Sequence, residues 1–502
     1  MQETKKQLSR QVWEGLRVHK EYRLMKKALF AILLCMLLCC SCTTDTPDIA
    51  DADTTVPDTV MTDDTADATD DTYPFPAEAD YAGASYTVLA CDENVPYTYF
   101  ELPVEETGDA MNDAIYRRNR ATEEYLNITL QLQTGALTEV TQGVVNAVAA
   151  GDDTYQLANI HIVEGGATLV SSGALLDLNT IDTLDLAAPW WNTSFASSLT
   201  IHRAGEARLY LASGDMIVPN ARVIVMNKAL FEAVHRDVAI YTEVREGKWT
   251  LDRLGTLTAG VLQDTDGNGT MDADDQYAFG DLDNAGVGTS FLHGSGMLLL
   301  EMGADGSFSY VFDNDRLLTM MEKLYTSLYQ PYTAAKTATI STAEFGEGHV
   351  LFGSQVLLKL QVLREYDTDF GILPFPKFDE EQAQYYSSVW NGLLCVPITV
   401  SDPSFCGHVM EVLNATSCDT LSPAYYDTLL SSKFSRDPDS TAMLDLIFDG
   451  VVYDIGFCFD NWIGLYSLPA QMMLNGNLNL SSYAAANRNV YEAHYTDILG
   501  GN

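Results

Sequence analysis

The chain has 502 residues, which is long enough to bury more than one hydrophobic core. Its charge balance is strongly acidic, with 28 Lys and Arg against 70 Asp and Glu and a formal net charge of −42. A negative field of this size repels nucleic acid and anionic membrane surfaces, so nucleic-acid partners are excluded.

An export signal stands near the N-terminus. Met25 is followed by two lysines, residues 28–38 form an unbroken apolar run, and cysteines follow at 39, 40 and 42. The run is too short to span a bilayer, so it is typical of a secretory signal. A cysteine that directly follows a small residue at the C-terminal end of such a run is also typical of bacterial lipoproteins. We therefore predict a lipoprotein signal peptide at 1–42, a true start at Met25 and acylation of Cys42, with Cys40 and an ordinary cleaved signal as alternatives.

The segment 43–80 has a composition that does not favour folding. It is rich in Thr, Asp, Ala and Pro and contains no Lys or Arg. Like charges keep such a segment extended, so it is predicted to be an acidic disordered tether. Beyond Cys42 only five cysteines remain, and an odd number argues against a full disulfide framework.

The globular part opens with alternating strands and helices. Valine recurs at 140, 144 and 148, an i, i+4, i+8 stripe that indicates a helix, and Ile128 begins a run that alternates apolar and polar residues like a half-buried strand. The resulting order favours a parallel sheet covered by helices. The predicted strands are 86–90, 128–133, 157–163 and 221–226, and the predicted helices are 109–125, 138–150 and 227–234.

Several phrases, taken in order, resemble the family 1 extracellular solute-binding proteins, which are sugar-binding lipoproteins of bacterial ABC importers. The resemblance extends over almost all of the chain from Tyr86 onward. Its phrases are Thr107-Gly108-Asp109 with Asn112 and Asp113, Gly151-Asp152-Asp153, Gly173 to Leu178, Pro189-Trp190-Trp191-Asn192, Met226-Asn227-Lys228, Lys248-Trp249-Thr250, Asp369 to Lys377 and Pro423 to Asp427.

The resemblance implies a two-lobed α/β fold of the periplasmic-binding-protein type II class. Each lobe is a central sheet flanked by helices, and the ligand cleft lies between the lobes. Carried onto this chain, lobe 1 comprises 81–217 and 392–447, and lobe 2 comprises 218–391 and 448–502. The crossings are expected near 212–221 and 387–397. The implied function is capture of a carbohydrate or similar small solute for ABC permease subunits, by a monomer lipid-anchored on the extracytoplasmic side of the cell membrane.

Cleft residues follow from the predicted crossings and strand ends. An indole ring can bind a sugar because the C–H face of a pyranose stacks on it, while carboxylates and amides form hydrogen bonds with the hydroxyls. Trp249 and the pair at 190 and 191 are expected to pack inside the lobes instead. The predicted ligand-binding residues are Trp390, Asn391, Asp92, Glu93, Tyr97, Tyr99, Glu164, Asp215, Trp462 and Tyr466.

The segment 264–275 has the spacing of a calcium loop. Oxygen donors stand at positions one, three, five, seven, nine and twelve, and glycine stands at position six. The closing residue is aspartate rather than glutamate, as in the shorter loops of dockerins. An acidic surface turn is the alternative. We predict a structural Ca²⁺ in lobe 2, held by Asp264, Asp266, Asn268, Thr270, Asp272 and Asp275.

The sequence contains none of the motifs G-x-S-x-G, H-E-x-x-H, G-x-G-x-x-G or a Walker loop. The protein is therefore predicted not to be an enzyme, and no catalytic residue is assigned. Paired carboxylates for glycoside hydrolysis leave no pattern in so acidic a chain. A secreted carbohydrate-active enzyme, a glycosidase or lyase, is one alternative function, and a non-transport surface adhesin or sensor is another.

Overall fold

The structure, a computed structural model, describes residues 73–92, 98–203, 206–303, 307–335, 340–430 and 438–499. The predicted signal peptide, the predicted acylation site Cys42, most of the predicted tether, and the predicted ligand residues Glu93 and Tyr97 lie outside the described residues. Within those ranges no helix is both long and apolar enough to cross a membrane.

Short strands form two main sheets and three small ribbons. The strands are β1 (Ala84–Cys91), β2 (Ile128–Gly135), β3 (Leu157–His161), β4 (Ile201–Arg203), β5 (Glu206–Arg208), β6 (Arg222–Asn227), β7 (Tyr277–Phe279), β8 (Leu300–Met302), β9 (Phe308–Tyr310), β10 (Val350–Val356), β11 (Phe370–Leu373), β12 (Ser387–Ser388), β13 (Gly392–Cys395) and β14 (Val451–Val452).

Helices cover the sheets and connect their strands. They are α1 (Ala110–Leu126), α2 (Leu137–Ala150), α3 (Gly166–Ser171), α4 (Thr193–Leu199), α5 (Lys228–Val234), α6 (Ile240–Arg245), α7 (Leu251–Thr258), α8 (Ala285–Gly294), α9 (Asp315–Leu324), α10 (Gln330–Ala335), α11 (Thr342–Gly346), α12 (Pro403–Asp419), α13 (Leu421–Leu430), α14 (Pro438–Asp449), α15 (Ile455–Cys458), α16 (Leu468–Leu474) and α17 (Leu480–Leu499). Single 3₁₀ turns or runs occupy Leu178–Thr180, Val311–Asp313 and Leu357–Glu365, and Tyr325–Tyr329 is a π-helical turn.

The first sheet has the order β13-β3-β1-β2. Strands β1, β2 and β3 are parallel, and β13 joins β3 in the antiparallel sense. The valine stripe of α2 is the reason that this helix packs on the sheet, since Val140 and Val144 are fully buried. The β-α-β-α-β series predicted from the sequence is confirmed, with ends shifted by at most two residues.

The second sheet has the order β11-β6-β10-β7. Strand β6 consists of four apolar residues between Arg222 and Asn227, and all six residues are buried between the two neighbouring strands and the covering helices. It is antiparallel to both β10 and β11, whereas β7 and β10 are parallel. The predicted strand at 221–226 and the helix that follows it, α5, are confirmed.

Two chain segments pass side by side between the sheets. Ala212 pairs with Leu394, and Ala221 pairs with Val389, both in the antiparallel sense. The segment 212–221 leads into β6, and the segment 387–397 contains β13 of the first sheet. The crossings therefore lie where the resemblance placed them. A short parallel pair of β12 with β14 adds a further backbone link beside them.

The folded part begins before the predicted end of the tether. Tyr73 packs edge-on against Trp190, with ring centroids 5.4 Å apart, and the hydroxyl of Tyr125 donates to Pro76 O at 2.8 Å. A ring nitrogen of His408 lies 2.8 Å from Ala77 O. Residues 73–80 belong to the compact unit Tyr73–Asn502, because their aromatic rings find apolar surface to cover. The predicted C-terminal boundary of the tether at residue 80 is therefore wrong, because the folded part already includes residues 73–80.

A buried carboxylate is held by the tandem tryptophans. Trp190 Nε1–H donates to Glu411 at 2.6 Å and Trp191 Nε1–H donates at 2.9 Å, while the backbone N–H of Asp185 adds a third bond at 3.2 Å. Burial raises the pKa of Glu411 to about 7, although the three donors act in the opposite direction. Both indoles thus pack inside the first lobe, as expected from the sequence.

Glu411 should give the protein a measurable pH dependence of stability. A carboxyl whose pKa is raised in the folded state stabilises the fold most below its ordinary pKa of 4.5, and this contribution is lost as the pH rises through about 7. We expect the free energy of unfolding of the wild type, relative to Glu411→Gln, to fall by about 1–3 kcal/mol between these limits. Denaturant titrations of both proteins across this range provide the measurement. If the stability of the wild type relative to Glu411→Gln instead rises with pH, the three hydrogen bonds lower the pKa of Glu411 by more than burial raises it.

Candidate ligand-binding site

The carboxyl ends of the parallel strands in both sheets lie beside the crossing segments. In the first sheet β3 ends at His161, which pairs with Gly392 at the start of β13. In the second sheet β10 ends at Val356, which pairs with Arg222 at the start of β6. Ligands of open α/β sheets bind outside the carboxyl ends of the strands. The region between these two sheet edges is therefore the expected ligand cleft.

Trp390 lies between the two edges. It precedes Gly392 by two residues, and its backbone N–H donates to Asn220 O at 3.0 Å, two residues before β6. Its ring is partly buried. The sequence placed Trp390 at the return crossing, and the structure gives it that position.

Five rings form what we call the hinge cluster: His161, Trp390, Phe457, Trp462 and Tyr466. The ring of Trp390 lies 5.2 Å from Phe457, 5.9 Å from His161 and 6.3 Å from Tyr466, measured between centroids. Trp462 stacks on His161 at 5.9 Å with an interplanar angle of 20°. The cluster offers apolar ring faces of the kind that sugars stack on.

Trp462 is the exposed member of the hinge cluster, with 45% of its surface accessible. The carboxylate of Glu164, in the loop after β3, is close enough to interact with the Trp462 side chain. Burial raises the pKa of Glu164, and the interaction with Trp462 partly offsets this. Burial lowers the pKa of His161 to about 4, so the imidazole stacked under Trp462 is neutral at pH 7.

The backbone that carries Trp462 is held in an unusual conformation. Asn461 and Trp462 both have positive φ, 47° and 63°, which is uncommon for residues other than glycine. The amide of Asn461 is bonded to Gly165 and Thr168, and its backbone N–H donates to Val163 O at 3.0 Å. These three bonds compensate the strain and attach the Trp462 loop to the first lobe.

The predicted ligand residues divide into two groups. Trp390, Trp462 and Tyr466 belong to the hinge cluster. The ring centroids of Tyr99 and His161 are 6.5 Å apart, and Glu164 lies near Trp462. Asn391 adjoins the cluster but is fully buried; its Nδ2 donates to Gly392 O at 2.8 Å and its Oδ1 has no hydrogen-bond partner among the described residues.

Two other predicted residues lie outside these contacts. Asp92 is exposed at the end of β1, where its backbone N–H donates to Gly135 O at 2.8 Å. Asp215 lies in a turn whose backbone N–H donates to Trp190 O at 2.9 Å. The contacts described for these two residues tie them to the first lobe rather than to the hinge cluster.

The sequence did not single out three residues of this region. His161 lies two residues before the end of the predicted strand 157–163, and the structure ends β3 at this residue. Arg222 stands at the start of a largely apolar strand in a very acidic chain, and this is only a weak indication of a binding residue. Its guanidinium lies 5.7 Å from the centre of the Trp390 ring. Phe457 gave no signal, because only the tertiary fold brings it against Trp390.

A separate groove of about 610 Å³ lies in the second lobe, lined by α7, β7 and the helical segment 323–332. It contains no member of the hinge cluster, and most of its lining is apolar. The groove has no tryptophan ring on which a sugar could stack, so the hinge region is the better carbohydrate site.

The predicted calcium loop brings its acidic side chains together. One carboxylate oxygen from each of Asp264, Asp266 and Asp275 lies within 4.8 Å of the others. Asp264 accepts from the backbone N–H groups of Gly267 and Gly269 at 2.7 and 2.8 Å, and both glycines have the positive φ that the tight turn requires.

Asp275 closes the loop from its buried end. Its carboxylate accepts from the backbone N–H groups of Thr265 at 2.7 Å and Asp272 at 3.0 Å, and these bonds lower its pKa. Asn268 Nδ2 donates to Asp266 at 2.8 Å. Three converging carboxylates supply the hard oxygen donors that Ca²⁺ prefers, so they fit this ion, whereas Asn268 directs its amide nitrogen toward Asp266 and its amide oxygen accepts from Thr270 N–H.

The fold is similar to that of solved solute-binding proteins, some of them in complex with sugars. A cyclo/maltodextrin-binding protein complexed with maltotetraose matches with a TM-score of 0.54 and 14% identity, covering 82% of this chain and 97% of that one. A family 1 extracellular solute-binding protein from Bifidobacterium longum subsp. infantis matches at 0.53 and 15%, covering 82% and 99%. The galacto-N-biose-/lacto-N-biose I-binding protein of an ABC transporter from Bifidobacterium longum, in complex with lacto-N-biose, matches at 0.53 and 12%, covering 82% and 98%.

These likenesses confirm the predicted two-lobed α/β fold of solute-binding proteins. No protein-family model matches the sequence, and no curated protein matches it.

Proposed function

We propose that this protein is an extracytoplasmic solute-binding protein that captures a carbohydrate between its lobes and delivers it to an ABC importer. The observation that carries the proposal is the hinge cluster, where the carboxyl edges of both sheets meet aromatic rings and buried polar groups. Such a site can stack a sugar ring on indole faces and bind its hydroxyls. The absence of catalytic motifs and the binding proteins among the structural neighbours support a binding role rather than an enzymatic one.

A thermal-shift screen tests the carbohydrate proposal. A ligand that binds only the folded state raises the apparent melting temperature, so a panel that includes maltotetraose and lacto-N-biose should contain at least one stabilising sugar. Calorimetry then gives its affinity, and chromatography of the sugar after incubation shows whether it is left intact. Cleavage of the sugar would favour the enzyme alternative, and no binding by any panel member would contradict the proposal.

We also propose that the mature protein is anchored to the membrane through lipid on Cys42. The basic, apolar and cysteine pattern of residues 25–42 supports this. One acyl chain anchors a protein only marginally, so we expect at least two. A mature chain that is free in the medium and begins with a residue other than cysteine would contradict the anchor.

We propose further that Ca²⁺ binds the loop 264–275 and stabilises the second lobe. The convergence of Asp264, Asp266 and Asp275 supports the proposal. A chelator should therefore lower the melting temperature of the wild type, because an ion bound only to the folded state is removed.

Paired variants test the calcium site. Asp264→Ala with Asp266→Ala should abolish the response to chelator, since two of the three converging carboxylates are lost. Asp274→Ala is the matched control, because Asp274 lies in the same loop, is exposed and is not a predicted ligand. A wild-type melting temperature that is the same in calcium and in chelator would show that the loop is an acidic turn.

A further inference from the structure

Arg222 is a buried cation whose hydrogen-bonding capacity is largely unused. Only 6% of the residue is exposed, and Nε has no hydrogen-bond partner among the described residues. One terminal nitrogen reaches Ser354 Oγ at 3.5 Å, and the same nitrogen lies 3.8 Å from a carboxylate oxygen of Asp281. A guanidinium carries five N–H donors. A buried donor without a hydrogen-bond acceptor costs free energy, because the group has lost its bonds to water. The arrangement is therefore incomplete without a further acceptor.

The pair lies at the ligand-facing edge of the second sheet. Arg222 begins β6, and Asp281 follows the carboxyl end of β7. The side chain of Asp281 is 22% exposed, so the pair can be reached from that side. The guanidinium of Arg222 lies 5.7 Å from the centre of the Trp390 ring, which places charge and stacking surface together.

Gly286 allows the start of α8 to pack closely against this pair, because it has no side chain. A Cβ at this position would lie 2.8 Å from Trp390 Cζ2 and 3.3 Å from a terminal nitrogen of Arg222. Gly286 is in the first turn of α8, so the N-terminal end of this helix lies against Trp390 and Arg222. Any side chain at 286 would press on both the ring and the guanidinium.

The charges around the pair favour a neutral partner. Asp281 interacts electrostatically with Arg222, Asp283 and Lys359, and these four groups carry two charges of each sign when all are ionised. Glu164 adds a further acidic group beside Trp462, and the chain as a whole carries a net charge of −42. An anionic ligand would meet repulsion, whereas a sugar hydroxyl can accept from a guanidinium and its neighbour can donate to a carboxylate.

We propose that Arg222 and Asp281 form a subsite that binds two adjacent hydroxyl groups of a neutral sugar ring stacked on Trp390. The proposal rests on the carbohydrate-binding function proposed above. The gap of 3.8 Å between the nearest nitrogen and oxygen is too long for a direct hydrogen bond, so both groups keep capacity for a ligand. Neutral sugars with neighbouring hydroxyls are thus the substrate class.

The test compares variants with sugars that lack single hydroxyls. Arg222→Met removes the donor, and Arg222→Met with Asp281→Asn removes both charges, so that no unpaired charge is buried if the single variant fails to fold. Arg253→Met is the matched control, because Arg253 is paired with Glu243 at 2.7 Å in the same lobe. The probes are maltotetraose, lacto-N-biose and a glucuronic-acid disaccharide, together with monodeoxy forms of the neutral sugar that binds most tightly.

The expected result is a loss of neutral-sugar affinity of about ten- to hundredfold in the double variant, and none in Arg253→Met. Sugars that lack either of two adjacent hydroxyls should bind the wild type more weakly. The double variant should bind these deoxy sugars as well as it binds the parent sugar, because it has already lost the contact that each hydroxyl makes. Unchanged affinity, or deoxy effects that persist in the double variant, would overturn the subsite while the proposed function stands. A preference for the glucuronic-acid disaccharide would overturn the neutral class. Failure of every sugar to bind the wild type would overturn both the subsite and the proposed function.

Discussion

Replacing Trp390 by alanine should weaken binding of the tightest panel sugar by about 2–4 kcal/mol, the size of a hot-spot truncation. This corresponds to roughly thirtyfold to nearly a thousandfold in affinity. The indole lies between the carboxyl edges of both sheets, and its removal takes away a stacking face and leaves a void among Phe457, Tyr466 and His161. Isothermal titration calorimetry of the wild type and the variant measures the loss.

Two comparisons make this result specific. Trp390→Phe retains an aromatic face and should lose less affinity than Trp390→Ala. Small-angle scattering should also report a smaller radius of gyration when the sugar is bound, because closure of the lobes on the ligand is expected for this fold. If Trp390→Ala binds the sugar as tightly as the wild type, the cleft does not lie against the hinge cluster.

Replacing Trp249 by alanine should instead destabilise the fold by about 3–5 kcal/mol, as large-to-small changes of buried aromatic residues do. Trp249 is fully buried, its Nε1–H donates to Pro374 O at 2.8 Å, and its ring lies 5.9 Å from Phe352. It directly precedes Thr250, the N-cap of α7, whose hydroxyl accepts from the backbone N–H of Arg253. Denaturant unfolding followed by circular dichroism gives the change in stability.

The same variant serves as the control for the sugar site. At a temperature where Trp249→Ala remains folded, its affinity for the panel sugar should equal that of the wild type. Trp249→Phe keeps most of the ring but leaves Pro374 O without its donor, and we expect a smaller loss of about 1–3 kcal/mol. A weakened affinity with an unchanged melting temperature would contradict this assignment of Trp249 to the core.

Local sequence patterns determined most of the secondary structure at the start of the folded part. The valine stripe of α2 and the alternation in β2 predicted these elements because one face of each must be buried, and that requirement sets a period along the chain. The spacing at 264–275 predicted a loop that brings three carboxylates together, since turn geometry is fixed by near neighbours and glycine. The order of the resembling phrases gave the two-lobed fold and the position of the crossings.

Only the tertiary structure decided how the candidate site is assembled. His161, Arg222 and Phe457 are far apart in sequence and meet at Trp390 because sheet order and crossings place them there. The sequence divided the tryptophans between lobe interiors and the cleft, but it did not give the contacts that fix each role. Trp190 and Trp191 are buried because Glu411 accepts their N–H groups, whereas Trp462 stays exposed because Asn461 attaches its loop to the first lobe. Such long-range contacts leave no periodic trace in the chain, since they depend on which elements pack together and not on local spacing.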